Sequence, residues 1–118
     1  MITSETIERI TDVILRNEDP EAVILFGSRA RGDARDDSDL DILVIKETDL
    51  PRPARSRNLR RLLSGLPFGK DILIMTPAEF NNWKGIPSSF CNTVAREGKI
   101  LYDRGTCKSL VFQSRQGY

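Results

Sequence analysis

Two apolar runs, EAVILF (Glu21–Phe26) and LDILVI (Leu40–Ile45), stand on either side of the polar stretch GSRARGDARDDSD. Each run is short and bounded by turn-forming residues, so each reads as a buried strand rather than a helix. Side chains alternate along a strand, which puts Asp39, Asp41, Leu43 and Ile45 on one face and Leu40, Ile42 and Val44 on the other. Past Asp41 both faces are apolar, so this strand is expected in the centre of its sheet, covered on both sides.

The flanking segments supply the cover. Ile7, Ile10 and Ile14, with Val13 alongside, form a helical stripe behind the caps Thr3 and Ser4, predicting a helix from about Ser4 to Arg16 that Asp19-Pro20 stops. Ser28 to about Gly32 can form one or two helical turns. Ala54–Ser64 reads as a basic helix ending near Gly65, and Asp71–Met75 as a third strand. PAEFNNW fits a short helix with Pro77 at its first position; another is expected over Pro87–Arg96, stopped by Gly98. Ile100–Tyr102 can add an edge strand. This order predicts an α/β (α+β) class, with helices covering a small sheet.

Length and composition narrow the functions. A chain of 118 residues with 30% charged residues is one ordinary globular domain. A net charge of +1 gives no global field for nucleic acid, so no direct nucleic-acid binding is expected. No apolar run approaches a membrane span, and the start lacks the pattern of a signal peptide, so a cytoplasmic protein with reduced thiols is expected. Cys91 and Cys107 match no metal spacing. Histidine is absent, which removes histidine bases, histidine ligands and Ser-His-Asp machinery. Any catalysis falls to carboxylates and arginines, and any metal to hard, oxygen-liganded cations such as Mg2+.

Asp39 and Asp41 point to the same side of a strand, with Cα atoms about 6.5–7 Å apart. Unpaired, they would repel and be costly to bury; a divalent cation removes both problems. This spacing suits one shared Mg2+ or a pair about 3.5–4 Å apart. A turn cap explains Asp37 and Ser38 equally well, but not Asp41, which lies inside the strand. Asp71 opens the run DILIM and converges on Asp39 and Asp41 if the two strands are neighbours. Gly27 lets a ligand approach the backbone, and Ser28 at a helical turn offers donors to a phosphate.

Gly27-Ser28, ten residues, then Asp39-x-Asp41 resembles the signature of the DNA polymerase beta-like nucleotidyltransferases. More closely it resembles the minimal nucleotidyltransferases (MNT) of MNT–HEPN toxin–antitoxin pairs. The similarity continues through KDILIMTPAEF, where Asp71 matches the third acidic residue, and PSSFCNTVAREGKILYD, covering about Val23–Asp103. The resemblance implies the polymerase beta-like fold, a small mixed sheet flanked by helices, as a nucleotidyltransferase domain over 1–103; the remainder, RGTCKSLVFQSRQGY, shows no clear period and reads as a loosely ordered tail over 104–118.

It further implies that Asp39 and Asp41 bind Mg2+ bridging the nucleotide phosphates. Asp71 would complete the metal site nearest the attacking hydroxyl, making two Mg2+ ions in all, and help remove the hydroxyl proton. Gly27 and Ser28 would hold the β- and γ-phosphates of ATP. From the residues themselves, Arg29, Arg31 and Arg35 flank this loop; Arg29, next to Ser28, is the first choice to neutralise triphosphate charge, the alternative being a solvated loop that balances Asp33, Asp36 and Asp37. The implied function is an antitoxin that transfers AMP to a tyrosine of a cognate HEPN ribonuclease toxin, within a hetero-oligomer. Two alternatives are transfer to a small molecule such as an aminoglycoside, and a non-enzymatic antitoxin acting by binding alone. Arg52, Arg55, Arg57, Arg60 and Arg61 make a basic surface, read chiefly as solvated. Phe80 and Trp83 read as core or interface packing, and Cys91 as a buried helix residue.

Overall fold

The computed structural model describes residues 2–35 and 37–104. Asp36, Cys107 and the tail from residue 105 onward lie outside the described residues. The elements follow in the order α1 (Ser4–Glu18), β1 (Ala22–Phe26), α2 (Ser28–Arg31), β2 (Leu40–Ile45), α3 (Arg52–Arg55), α4 (Arg57–Leu62), β3 (Lys70–Met75), α5 (Pro77–Lys84), α6 (Phe90–Glu97) and β4 (Lys99–Asp103). The strands form one sheet in the order β3-β2-β1-β4, with β1 antiparallel to both neighbours and β2 parallel to β3. The expected mixed α/β architecture is therefore present, with β2 central and β4 at an edge.

Register separates the strand side chains into two layers. Val23, Leu25, Ile42, Val44, Ile72 and Ile74 face a core closed by Ile10 and Ile14 of α1 and Leu59 of α4. Ala22, Ile24, Leu43 and Ile45 face Phe80 of α5 and Cys91 and Val94 of α6. The Ile7–Ile10–Ile14 stripe thus does what its spacing demanded, and Thr3 caps α1 by accepting from the Thr6 amide at 3.1 Å. Charge inside the first layer is paired: Glu18, nearly buried, accepts from Lys46 Nζ at 2.9 Å, joining α1 to the end of β2.

Two expectations need correction. The helix predicted over Ala54–Ser64 is two short helices, broken at Ser56, which has φ −98° and ψ 4°. The helix predicted over Pro87–Arg96 starts only at Phe90, because Ser89 takes the cap position and accepts from the Asn92 amide at 3.0 Å. The break at Ser56 follows a tertiary demand on the preceding residue. Arg55 turns inward, its side chain only 9% exposed, and its guanidinium grips both carboxylate oxygens of Glu79, at 2.7 and 3.1 Å. It also donates to the Leu50 and Ile74 carbonyls. Arg55 is therefore a structural clamp between α3, β3 and α5, and not part of a solvated basic face.

Glu79 completes the capping box of α5, accepting from the Thr76 amide while Thr76 Oγ1 accepts from the Glu79 amide. Hydrogen bonding from Arg55, and next from Thr76, lowers the Glu79 pKa from 4.5 to about 2. A carboxylate depressed in the folded state stabilises it above the unfolded pKa. The gain is thus complete above pH 4.5 and disappears as pH falls through about 2. After solvent screening it amounts to about 1–2 kcal/mol. Arg55→Ala, which also strips a donor from two carbonyls, is expected to cost about 2–3 kcal/mol near pH 7. Urea melts should show that this difference shrinks below pH 4; a pH-independent loss would mean that packing of the Arg55 stem dominates.

Candidate active site

The polar stretch between β1 and β2 is held at one end of the sheet because β1 ends where β2 and β3 begin. Asp41 is the register partner of Phe26 on β1 and of Asp71 on β3. In-register partners project to the same face, and adjacent strands run about 4.8 Å apart. Asp41 and Asp71 therefore stand beside each other on the face covered by α5 and α6, as expected if the strands were neighbours. Asp39 precedes Leu40, the first residue of β2, whose amide donates to the Gly69 carbonyl at 3.0 Å.

Two glycines make room for the carboxylates. Gly27 has φ +77°, and a Cβ there would overlap the Asp41 carboxylate, reaching within 3.1 Å of its Cγ. Gly69 lies equally close to Asp39, where a Cβ would come within 2.8 Å of Cγ. The Gly27 role in backbone approach was readable from its place after a strand. Gly69 was not singled out; the signal was a glycine directly before the strand that carries Asp71.

The electrostatics follow from the geometry. Burial raises the Asp41 pKa first, and the negative charges of Asp71 and Asp39 raise it further; Arg31 and Arg29 oppose them. Among the described residues, no group of three or more Asp, Glu, Cys or His side chains stands close enough together to hold a metal ion by itself. The donor set is nevertheless all-oxygen, crowded and under-neutralised, and two of its carboxylates lie in glycine-lined cradles. That chemistry fits a hard divalent cation better than it fits three isolated anions.

Ser28 opens α2, and the Gly27 carbonyl accepts from the Ala30 and Arg31 amides at 3.0 and 3.1 Å. This packs the Gly27-Ser28 turn against Asp41. Arg29, one residue on, directs its guanidinium to the loop: Nη2 donates to the Ser38 carbonyl at 2.7 Å and to the Arg35 carbonyl at 3.2 Å. Ser38 in turn accepts from the Arg35 amide at 2.8 Å. Arg29 thereby ties the helical turn to the residue before Asp39. Arg29→Ala is expected to speed amide exchange across residues 33–39 by about tenfold, a loss of roughly 1.4 kcal/mol locally, with little change in global melting. Unchanged exchange there would show that the loop is held by other contacts.

Beside the carboxylates Phe26 meets Phe90 edge to face, with centroids 5.1 Å apart. Phe80 is fully buried and Cys91 nearly so, as expected, whereas Trp83 is half exposed. No helix among the described residues is long and apolar enough to cross a membrane.

Comparison with known proteins gives the family. The family model described as "Polymerase beta, Nucleotidyltransferase" matches residues 8–106. Two proteins of Methanocaldococcus jannaschii named as candidate protein adenylyltransferases, MJ0604 and MJ0141, are similar in sequence. The first is 38% identical over 80 residues, spanning 68% of this chain and 76% of the relative. The second is 35% identical over 78 residues, spanning 66% and 75%. A crystal structure of a toxin–antitoxin with AMP-PNP shares the fold, with a TM-score of 0.60 at 24% identity over 87% of this chain and 78% of that one. With the polymerase beta model covering most of the chain, this protein belongs to the polymerase beta nucleotidyltransferase family.

Proposed function

We propose that this nucleotidyltransferase is the antitoxin of a toxin–antitoxin pair, and that it transfers AMP from ATP to a tyrosine hydroxyl of a HEPN ribonuclease toxin. The observation that carries the reading is the in-register placement of Asp41 and Asp71, with Asp39 alongside and the Gly27-Ser28 turn against Asp41. The names of the M. jannaschii relatives and of the toxin–antitoxin neighbour support a protein acceptor and a toxin partner; the HEPN toxin and its tyrosine follow from the resemblance alone.

In this reading Gly27 and Ser28 bind the β- and γ-phosphates through backbone and hydroxyl donors. Asp39, Asp41 and Asp71 hold Mg2+, two ions in all, which when bound supplies the positive charge that the triphosphate and the carboxylates lack. Asp71 takes the proton of the acceptor hydroxyl. The hydroxyl oxygen forms a bond to the α-phosphorus in line with the departing group, the bond to the bridging oxygen breaks, and pyrophosphate leaves. Arg29 serves by fixing the loop that presents Asp39, in addition to any charge that it offers the phosphates. Positioning and charge compensation account for such catalysis without a histidine.

The test is intact-mass spectrometry of a co-purified toxin partner after incubation with ATP and Mg2+. The expected result is addition of AMP that disappears with Asp39→Ala/Asp41→Ala. A partner that stays bound but unmodified would replace the reading with inhibition by occlusion. Transfer to an aminoglycoside in the absence of any partner would assign a small-molecule acceptor instead.

A further inference from the structure

The strand that carries Asp71 is one edge of the sheet. Among the described residues β3 pairs with β2 alone, and the carbonyls of Met75 and of Gly69, just before it, point toward β2. In a parallel ladder, alternate residues turn their backbone groups to the other side, so those of Ile72 and Ile74 face outward. Arg55 reaches the Ile74 carbonyl at 3.3 Å. The Ile72 peptide groups have no strand beside them among the described residues, and a free edge is a template for an added strand.

A groove of about 630 Å³ wraps this edge. Leu73 and Met75 of β3, Trp83 of α5, Phe90 of α6, and Arg52 and Arg60 of α3 and α4 line it. Three of the six large apolar residues exposed on the described surface, Leu73, Trp83 and Phe90, lie in it. Such concentration marks a contact surface rather than scattered exposure. Aromatics with arginines on the rim are the composition of binding hot spots. Arg60 has no ion pair among the described residues, and Arg52 reaches Glu79 only at 3.8 Å while 63% exposed. Both cations are therefore available to an anionic partner.

We infer that this groove docks the acceptor: an extended segment of the partner protein that adds to the β3 edge, seats apolar side chains on Leu73, Trp83 and Phe90, and places carboxylates against Arg52 and Arg60. The inference rests on the proposed transfer to a protein hydroxyl. The groove is lined by Ile72–Met75, the residues that follow Asp71 on β3, so a segment bound along it and extended by one residue would bring a hydroxyl to Asp71. Charge decides the occupant. A basic segment would meet Arg60 and the largely exposed Arg52, whose ion pair with Glu79 is long, whereas an acidic one would neutralise them.

The test uses an array of twelve-residue peptides with a central tyrosine and randomised flanks, probed two ways. In the first, fluorescently labelled protein binds without nucleotide; in the second, labelled ATP and Mg2+ report transferred AMP. The expected result is that bound and modified peptides both carry acidic residues beside apolar ones. Arg60→Glu should weaken that preference about tenfold, with ATP affinity unchanged, and Leu73→Lys should abolish binding. Emission from Trp83, the single tryptophan, should shift as a selected acidic peptide is added. No bound peptides, or an acidic preference indifferent to both substitutions, would overturn the docking site. Groove-dependent binding without AMP transfer would leave the docking site standing and overturn the proposed transfer instead.

Discussion

Asp41→Asn is expected to reduce nucleotidyl transfer by about a thousandfold while leaving the protein at least as stable as the parent. The loss follows from the place of Asp41, between Asp71 across the ladder and the Gly27-Ser28 turn that its carboxylate touches. Removing a preorganised charge from a transition state of high charge density costs on the order of 10² to 10³ in rate. Stability should move the other way. Asp41 is half-buried, and its pKa is raised by that burial and by the charges of Asp71 and Asp39. The amide keeps the shape and removes the repulsion, which favours the metal-free fold by about 0.5–1 kcal/mol. Thermal melts in EDTA beside single-turnover kinetics check both halves. Activity within about tenfold of the parent would remove Asp41 from the chemistry, and a large drop in stability would show a packing role instead.

Gly27→Ala is expected to be damaging on both counts. At φ +77° and ψ −158° the backbone lies where residues with a side chain seldom go, which costs about 1–3 kcal/mol. The added methyl would also displace the Asp41 carboxylate, so activity should fall by about a hundredfold even under conditions where the variant is fully folded. Gly32 provides the control. It too has a positive φ, +89°, but a Cβ there meets nothing within 4 Å. Gly32→Ala should therefore lose stability while keeping activity per folded molecule. Equal activity losses in both variants would mean that backbone strain, rather than crowding of Asp41, is responsible.

The contrast between the legible and illegible parts is clearest at particular residues. The alternation in LDILVI implied a central strand with Asp39 and Asp41 on one face, and the ladder places β2 between β1 and β3. Local rules suffice there, because side-chain direction along a strand depends only on position. The Pro77 helix is similarly local, its cap box lying within Thr76–Glu79. Arg55 shows the opposite case. By composition it belongs to a basic surface; its burial depends on Glu79 being brought near from twenty-four residues away. That same long-range pull accompanies a break at Ser56 in what local propensity alone reads as one helix.

Gly69 is illegible for a related reason. Its importance arises only once the Asp39 carboxylate is laid over it, across a gap of thirty residues in the chain. Arg29 was legible as a residue of the Gly27-Ser28 loop, but the direction of its guanidinium, toward the Ser38 and Arg35 carbonyls, depends on how that loop folds back.

By itself the sequence determined the strands, the carboxylate face, the Gly-Ser turn and the exclusion of histidine chemistry, since all of these depend on residue type and short-range periodicity. Only the tertiary structure decided that Asp71 pairs in register with Asp41, that Gly27 and Gly69 hold space for two carboxylates, and that β3 lies at an edge of the described sheet beside a groove lined by aromatics and arginines. Those are consequences of strand order and of contacts between residues distant in the chain, which the loop-closure and packing terms of the whole fold select together.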